Sequence, residues 1–119
     1  MPMDYLAYRT DLEEGLAQLG RELPGPMSGF TRLHRKATAE GALSRSVKEM
    51  MALAISVVAG CEGCIAYHVH DAVEAGASRD ELLEAIGVAV LMGGGPAAIY
   101  ATHALEAVNQ LSLLPAEVR

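Results

Sequence analysis

The chain has 119 residues, enough for one domain over 1–119 and too few for two, since each half would approach the size at which a core becomes marginal. Apolar residues make up 51% and charged residues 20%, which excludes disorder, and nine basic against fifteen acidic side chains leave a net charge of −6, the wrong sign for a nucleic-acid surface. Four Tyr, one Phe and no Trp offer little on which bases could stack.

Gly and Pro punctuate the sequence into about six segments, none of which alternates with the period of a half-buried strand, so an all-α fold of about six helices is expected. The first runs from Asp4 to about Gly20, with Tyr5, Tyr8, Leu12, Leu16 and Leu19 on one stripe; Leu23-Pro24-Gly25-Pro26 then breaks the chain. A second, about Pro26 to Glu40, should turn Met27, Phe30, Leu33 and Ala37 inward and stop at Gly41. The third opens at Ser46, where Ser46-Val47-Lys48-Glu49 has the spacing of a capping box, and continues through Met50, Leu53, Ala54, Val57 and Val58 to Gly60. Its latter half is apolar nearly all round, which predicts a central position.

The fourth helix starts near Cys61 and stops at Gly76, and Ser78-Arg79-Asp80-Glu81 is a capping box for the fifth. That helix carries Leu82, Leu83, Ile86, Val88, Ala89, Val90 and Leu91 until Gly93-Gly94-Gly95-Pro96 breaks it; a sixth, Ala97 to about Asn109, presents Ile99, Tyr100, Ala104 and Val108. The glycine run follows a helix and lacks the strand and lysine of a phosphate cradle, so it reads as a hinge allowing close helix approach. Two helices apolar around most of their girth predict a homo-oligomer.

Met1-Pro2-Met3-Asp4 is no basic leader ahead of an apolar run, and no apolar stretch reaches the roughly 18 to 20 residues of a bilayer span. A soluble, cytoplasmic protein without membrane or nucleic-acid partners is expected. Cytoplasmic thiols are held reduced unless catalytic or metal-bound, which gives weight to the two cysteines.

Cys61-Glu62-Gly63-Cys64, followed by His68, is the informative stretch. At about 100° per residue the three groups project from one face within an arc of roughly 60°. His68 is one turn beyond Cys64, within reach of its sulfur, while Cys61 sits at the helix start, where free N–H groups favour a thiolate. A structural disulfide would close a four-residue loop for only about 2 kcal/mol. A zinc site of Cys61, Cys64, His68 and Glu49 lacks the second cysteine pair usual in structural sites. Two small buried hydrophobes are a further reading. Haem attachment needs His where Ile65 stands, and a thioredoxin-like motif needs a strand. Glu49 has two readings, a cap with Ser46 or a carboxylate reaching His68 if helices three and four pack antiparallel. His70, about 200° from His68, is expected to face solvent or a partner subunit, and His34 and His103 have no companions in sequence. Tyr67 and Tyr100 have two readings, pocket-lining residues or, the one favoured, buried side chains with satisfied hydroxyls.

Glu49, then Cys61-x-x-Cys64-x-x-x-His68, then Ala75-Gly76-Ala77-Ser78 with Glu81 and Glu84-Ala85-Ile86, then Met92-Gly93-Gly94-Gly95-Pro96, resembles the alkylhydroperoxidase D-like (AhpD-like) branch of the carboxymuconolactone decarboxylase superfamily, over about Leu43 to Tyr100. The resemblance implies a helical protein assembling as trimers or hexamers and reducing a small hydroperoxide or disulfide with an external thiol reductant, without metal or organic cofactor. It implies Cys64 as nucleophile, Cys61 as resolving cysteine, and His68 and Glu49 as proton relay. The helix end alone favours Cys61 as nucleophile; His68 at i+4 favours Cys64, the assignment adopted. Peroxidase members carry a further His before the second cysteine, where this chain has Gly63. Two alternatives are a lactone decarboxylase, whose branch generally lacks the cysteine pair, and a non-enzymatic oligomeric module with a redox-sensing pair or zinc clip.

Overall fold

The computed structural model describes residues 3–119. Five helices follow in chain order: α1 (Tyr5–Glu22), α2 (Pro24–Ala37), α3 (Arg45–Ala59), α4 (Glu62–Glu74) and α5 (Arg79–Ser112), with a short 3₁₀ turn at Ala116–Val118. No strand occurs among the described residues. The all-α expectation is met, with the fifth and sixth expected helices running as one element kinked at Gly94 (φ 69, ψ −149).

Local chemistry explains the boundaries. Asp4 caps α1 by accepting from the Ala7 N–H. The expected four-residue break at Leu23 is a single residue: Pro24 and Pro26 both lie in the first turn of α2, where a missing N–H costs nothing. Helix α2 ends at Ala37, short of Glu40. The cap of α3 is Ser44, whose hydroxyl accepts from Val47 N–H; Ser46 lies inside the helix, and the expected capping box with Glu49 does not form. The box at Ser78 and Glu81 is present in both directions.

Helices α3, α4 and α5 pack on one another, with α1 laid across α4 and α5. Their core holds Leu53, Val57, Ile65, Val69, Leu82 and Ile86, and then the small side chains Ala97, Ala101, Ala104 and Ala107, which let α5 lie close to its neighbours. At Gly93 a Cβ would collide with Ala97 and stand 3.3 Å from Val58, so the glycine run both kinks α5 and permits the approach of α3.

Helix α2 packs mainly on α1, and its expected core stripe is not buried: Phe30 is 58% and Leu33 63% exposed. Ile99, also expected inside, is 66% exposed, and Val58, Val88 and Leu91 face outward as well. Periodicity identified apolar faces correctly, but one chain has too few helices to cover them all. Helix α5 departs from the expectation that no apolar stretch reaches the length of a bilayer span, with a mean hydropathy of 1.7 in its most apolar window. By length and composition alone it passes as a membrane span; 22% of that window is buried inside the fold, Leu82 and Ile86 among it, and Gly94 interrupts the helix.

Candidate functional site

The α3–α4 link creates the site. Gly60 ends α3 with a left-handed φ of 68, and Cys61, in extended conformation, caps α4, so the two helices fold back on each other within two residues. Cys61 Sγ accepts from the Cys64 N–H at 3.2 Å. The two sulfurs are joined as a disulfide across a Cα–Cα distance of 5.2 Å, and both residues are half-buried.

His68 follows one turn beyond Cys64, and its Nδ1 lies 2.8 Å from Glu49 Oε2. The Glu49 side chain is 1% exposed and that of His68 20%. Glu49 is therefore a buried carboxylate directed at an imidazole, which decides between its two readings. With Nδ1–H donating to Glu49, the ring is fixed in orientation and Nε2 is left to exchange a proton on the accessible side. Of the four residues a zinc site would use, the two sulfurs are bonded to each other and His68 Nδ1 faces Glu49.

Sequence reasoning missed several neighbours. The His34 ring from α2 meets His68 edge-on, centroids 6.0 Å apart. His34, Glu49 and Asp71 each bring one ligand-type atom within 4.8 Å of the others, but the Arg9 guanidinium, 3.5 Å from Asp71 Oδ1, already supplies positive charge there. Arg9 also lies over the Tyr67 ring at 5.0 Å. Burial pushes the Asp71 carboxyl up, but its hydrogen bond with His70 and the charge of Arg9 outweigh this and hold it below the ordinary range. Burial, then the charge of Glu13, raises the Tyr67 phenol.

His70, expected at the surface or a partner, is instead buried, 3.2 Å from both Asp71 Oδ1 and the Arg119 carbonyl. The chain's last residue folds over it, a contact helical periodicity cannot reveal. His103 pairs through Nδ1 with Glu62 Oε2 at 2.8 Å, and the Tyr5 hydroxyl donates to Glu62 Oε1 at 2.5 Å. Glu62 was visible inside the motif; its partners, from distant segments, were not.

Gly63 lies under α1. A Cβ there would stand 3.0 Å from Leu12 Cδ1 and 3.6 Å from the Tyr8 hydroxyl, so α1 occupies the space a larger residue would need. Between α1 and α2, a groove of about 690 Å³ lined by Leu16, Met27, Phe30, His34 and Tyr67 opens beside His34.

Residues 24–107 match the carboxymuconolactone decarboxylase family. The chain belongs to that family. A carboxymuconolactone decarboxylase family protein from Legionella pneumophila, solved in its apo form, superposes with a TM-score of 0.86 at 42% identity, covering 91% of this chain and 96% of that one. A carboxymuconolactone decarboxylase family protein from Thermotoga maritima gives a TM-score of 0.69 at 29% identity, covering 82% and 89%. An uncharacterised protein of Cupriavidus necator is 35% identical over 94% of this chain and 99% of its own length. Alkyl hydroperoxide reductase AhpD of Mycolicibacterium paratuberculosis is 39% identical, but the match covers 48% of this chain and 32% of that protein. Within the carboxymuconolactone decarboxylase family, the chain falls in the AhpD-like branch.

Proposed function

We propose that this chain is a dithiol oxidoreductase that reduces hydroperoxides through Cys64 and Cys61, with electrons from an external thiol. The observation that carries the reading is the joining of Cys61 to Cys64 one turn from a histidine held by a buried glutamate. The Cys64 thiolate attacks the outer oxygen of the hydroperoxide; the O–O bond breaks, the departing alkoxide takes a proton through His68 and Glu49, and Cys64 becomes a sulfenic acid. The Cys61 thiol then displaces that hydroxyl, forming the disulfide and releasing water. A reduced dithiol restores both thiols and is itself oxidised.

The similarity to AhpD over half of this chain supports the same reading. The pair serves equally in exchange with a disulfide substrate, because both reactions pass through the same two thiols. A reducing cytoplasm would supply the thiol donor.

The test is hydroperoxide consumption by wild type, Cys61→Ser and Cys64→Ser with dithiothreitol as donor. Turnover by wild type and loss in both variants is expected; consumption that survives Cys64→Ser removes the assigned nucleophile. Wild type that exchanges with thiols yet leaves hydroperoxide untouched would confine the activity to disulfide exchange.

We also propose that copies of the chain assemble, as trimers or hexamers. Ile55, Val88, Leu91, Met92 and Ile99 on α3 and α5, and Phe30 and Leu33 on α2, are each more than half exposed, large apolar side chains that no element of the same chain covers.

A further inference from the structure

We infer that Glu62 is a positioning residue for the cysteine pair: held by Tyr5 of α1 and His103 of α5, it fixes the first turn of α4 and so keeps Cys61 within bonding reach of Cys64. The inference rests on the dithiol–disulfide reading above and extends it to residues outside the pair and its proton relay.

Helix ends fray, and Cys61 lies just outside the first hydrogen-bonded turn of α4. Its placement depends on that turn staying wound, since the Cys61 carbonyl accepts from Ile65 N–H at 3.0 Å and its sulfur from Cys64 N–H at 3.2 Å. Of the two residues between the cysteines, Gly63 has no side chain, so Glu62 alone can fasten the turn from outside. It does so twice, to partners 57 and 41 positions away in sequence. Tyr5 is itself well fixed: it is 2% exposed, the buried residue of α1, and its backbone N–H donates to Gln110 Oε1 at 2.9 Å. Burial and the Glu62 carboxylate both push the Tyr5 phenol up, which keeps the hydroxyl a donor across the physiological range.

A fastened turn raises the effective concentration of one thiol at the other, and the equilibrium of the pair with a thiol buffer measures that quantity. In glutathione buffers the balanced exchange is two protein thiols plus one oxidised glutathione giving the protein disulfide plus two reduced glutathiones.

The experiment titrates the full chain with glutathione buffers and reads the oxidised fraction by alkylation and mass. Glu62→Ala is expected to lower the equilibrium constant for disulfide formation about tenfold, equivalent to roughly 30 mV for this two-electron couple. Glu62→Gln, which retains an acceptor for Tyr5 and a polar group for His103, is expected to stay within about threefold of wild type. Tyr5→Phe, which keeps the buried ring and the charge, should fall between them. A constant unchanged in Glu62→Ala and Tyr5→Phe overturns the inference, as does a shift in Glu62→Gln as large as in Glu62→Ala, which would make charge rather than position responsible. Should Glu62→Ala not fold, Tyr5→Phe against Glu62→Gln decides the same point. A wild-type pair that fails to respond to the buffer ratio takes down the dithiol reading as well, whereas a responsive wild type with indifferent variants sinks the positioning role alone.

Discussion

His68 Nδ1 lies 2.8 Å from Glu49 Oε2 although the two are nineteen positions apart in sequence, and the α3–α4 hairpin is what brings them together. The buried Glu49 carboxylate accepts from Nδ1–H and fixes the ring, and its negative charge stands directly behind the imidazole that passes a proton to the departing alkoxide. Glu49→Gln keeps the shape and an acceptor for Nδ1–H while removing that charge. Thiol-dependent hydroperoxide turnover should fall about 100-fold in a protein with unchanged helix content. His68→Ala should cost a similar factor, and the double variant little more, because the two act as one unit. Full turnover in Glu49→Gln would leave the glutamate a packing residue.

At Gly63 the constraint is space. Because Leu12 would crowd a Cβ there and Tyr8 would touch it, Gly63→His must push these side chains of α1 aside, and a loss of about 1–3 kcal/mol in urea unfolding is expected. Leu12→Ala in the same chain opens room for the ring and should recover part of that loss. Equal destabilisation by Gly63→His with or without Leu12→Ala would show that α1 is not what excludes a side chain at this position.

Much of this was legible in the sequence because it depends on local rules. The Ser78 cap, the left-handed Gly76 and the facing of Cys64 and His68 follow from helix geometry and side-chain hydrogen bonding within a few residues. The approach of Glu49 to His68 needed one tertiary assumption, that α3 and α4 lie side by side, and the two-residue link at Gly60 and Cys61 supplies it. Less legible were contacts whose partners lie far off in sequence: Tyr5 and His103 on Glu62, Arg119 over His70, Leu12 above Gly63. Ser44 and Ser46 both suit a cap, and only the fold of the preceding loop selects Ser44. The α2 stripe was a different kind of error: the apolar residues are present, but no element of the same chain lies over Phe30 and Leu33.

Leu91 and Ile99 flank the Gly94 kink and are 77% and 66% exposed. If copies of the chain meet at this face, a charge placed there must be desolvated on assembly at a cost of several kcal/mol. Light scattering at micromolar concentration should give a multiple of the chain mass for wild type and a smaller mass for Leu91→Glu with Ile99→Glu, with helix content retained. A wild type of single-chain mass would remove the assembly, and an assembled double variant would move the interface elsewhere.

Asp71 supplies a pH-dependent contribution to stability whose sign follows from its surroundings. Its carboxyl titrates below the ordinary 3.8 because the His70 hydrogen bond and the Arg9 charge outweigh the cost of burial. A carboxyl with a lowered folded-state pKa stabilises the fold at pH values above its unfolded-state pKa, and that stabilisation is lost as pH falls through the lower folded value. Asp71→Asn abolishes the ionisation, so the stability difference between wild type and variant should be fully present at about pH 5 and shrink below about pH 4. Because the Asp71–Arg9 distance is 3.5 Å and water has partial access, the plateau should be about 1 kcal/mol rather than the larger value of a sealed pair. Urea midpoints of the two proteins across that range provide the measurement. A difference that persists undiminished at pH 3 would assign the loss to packing, since at that acidity the unfolded chain has protonated most of its carboxyls and little electrostatic advantage remains.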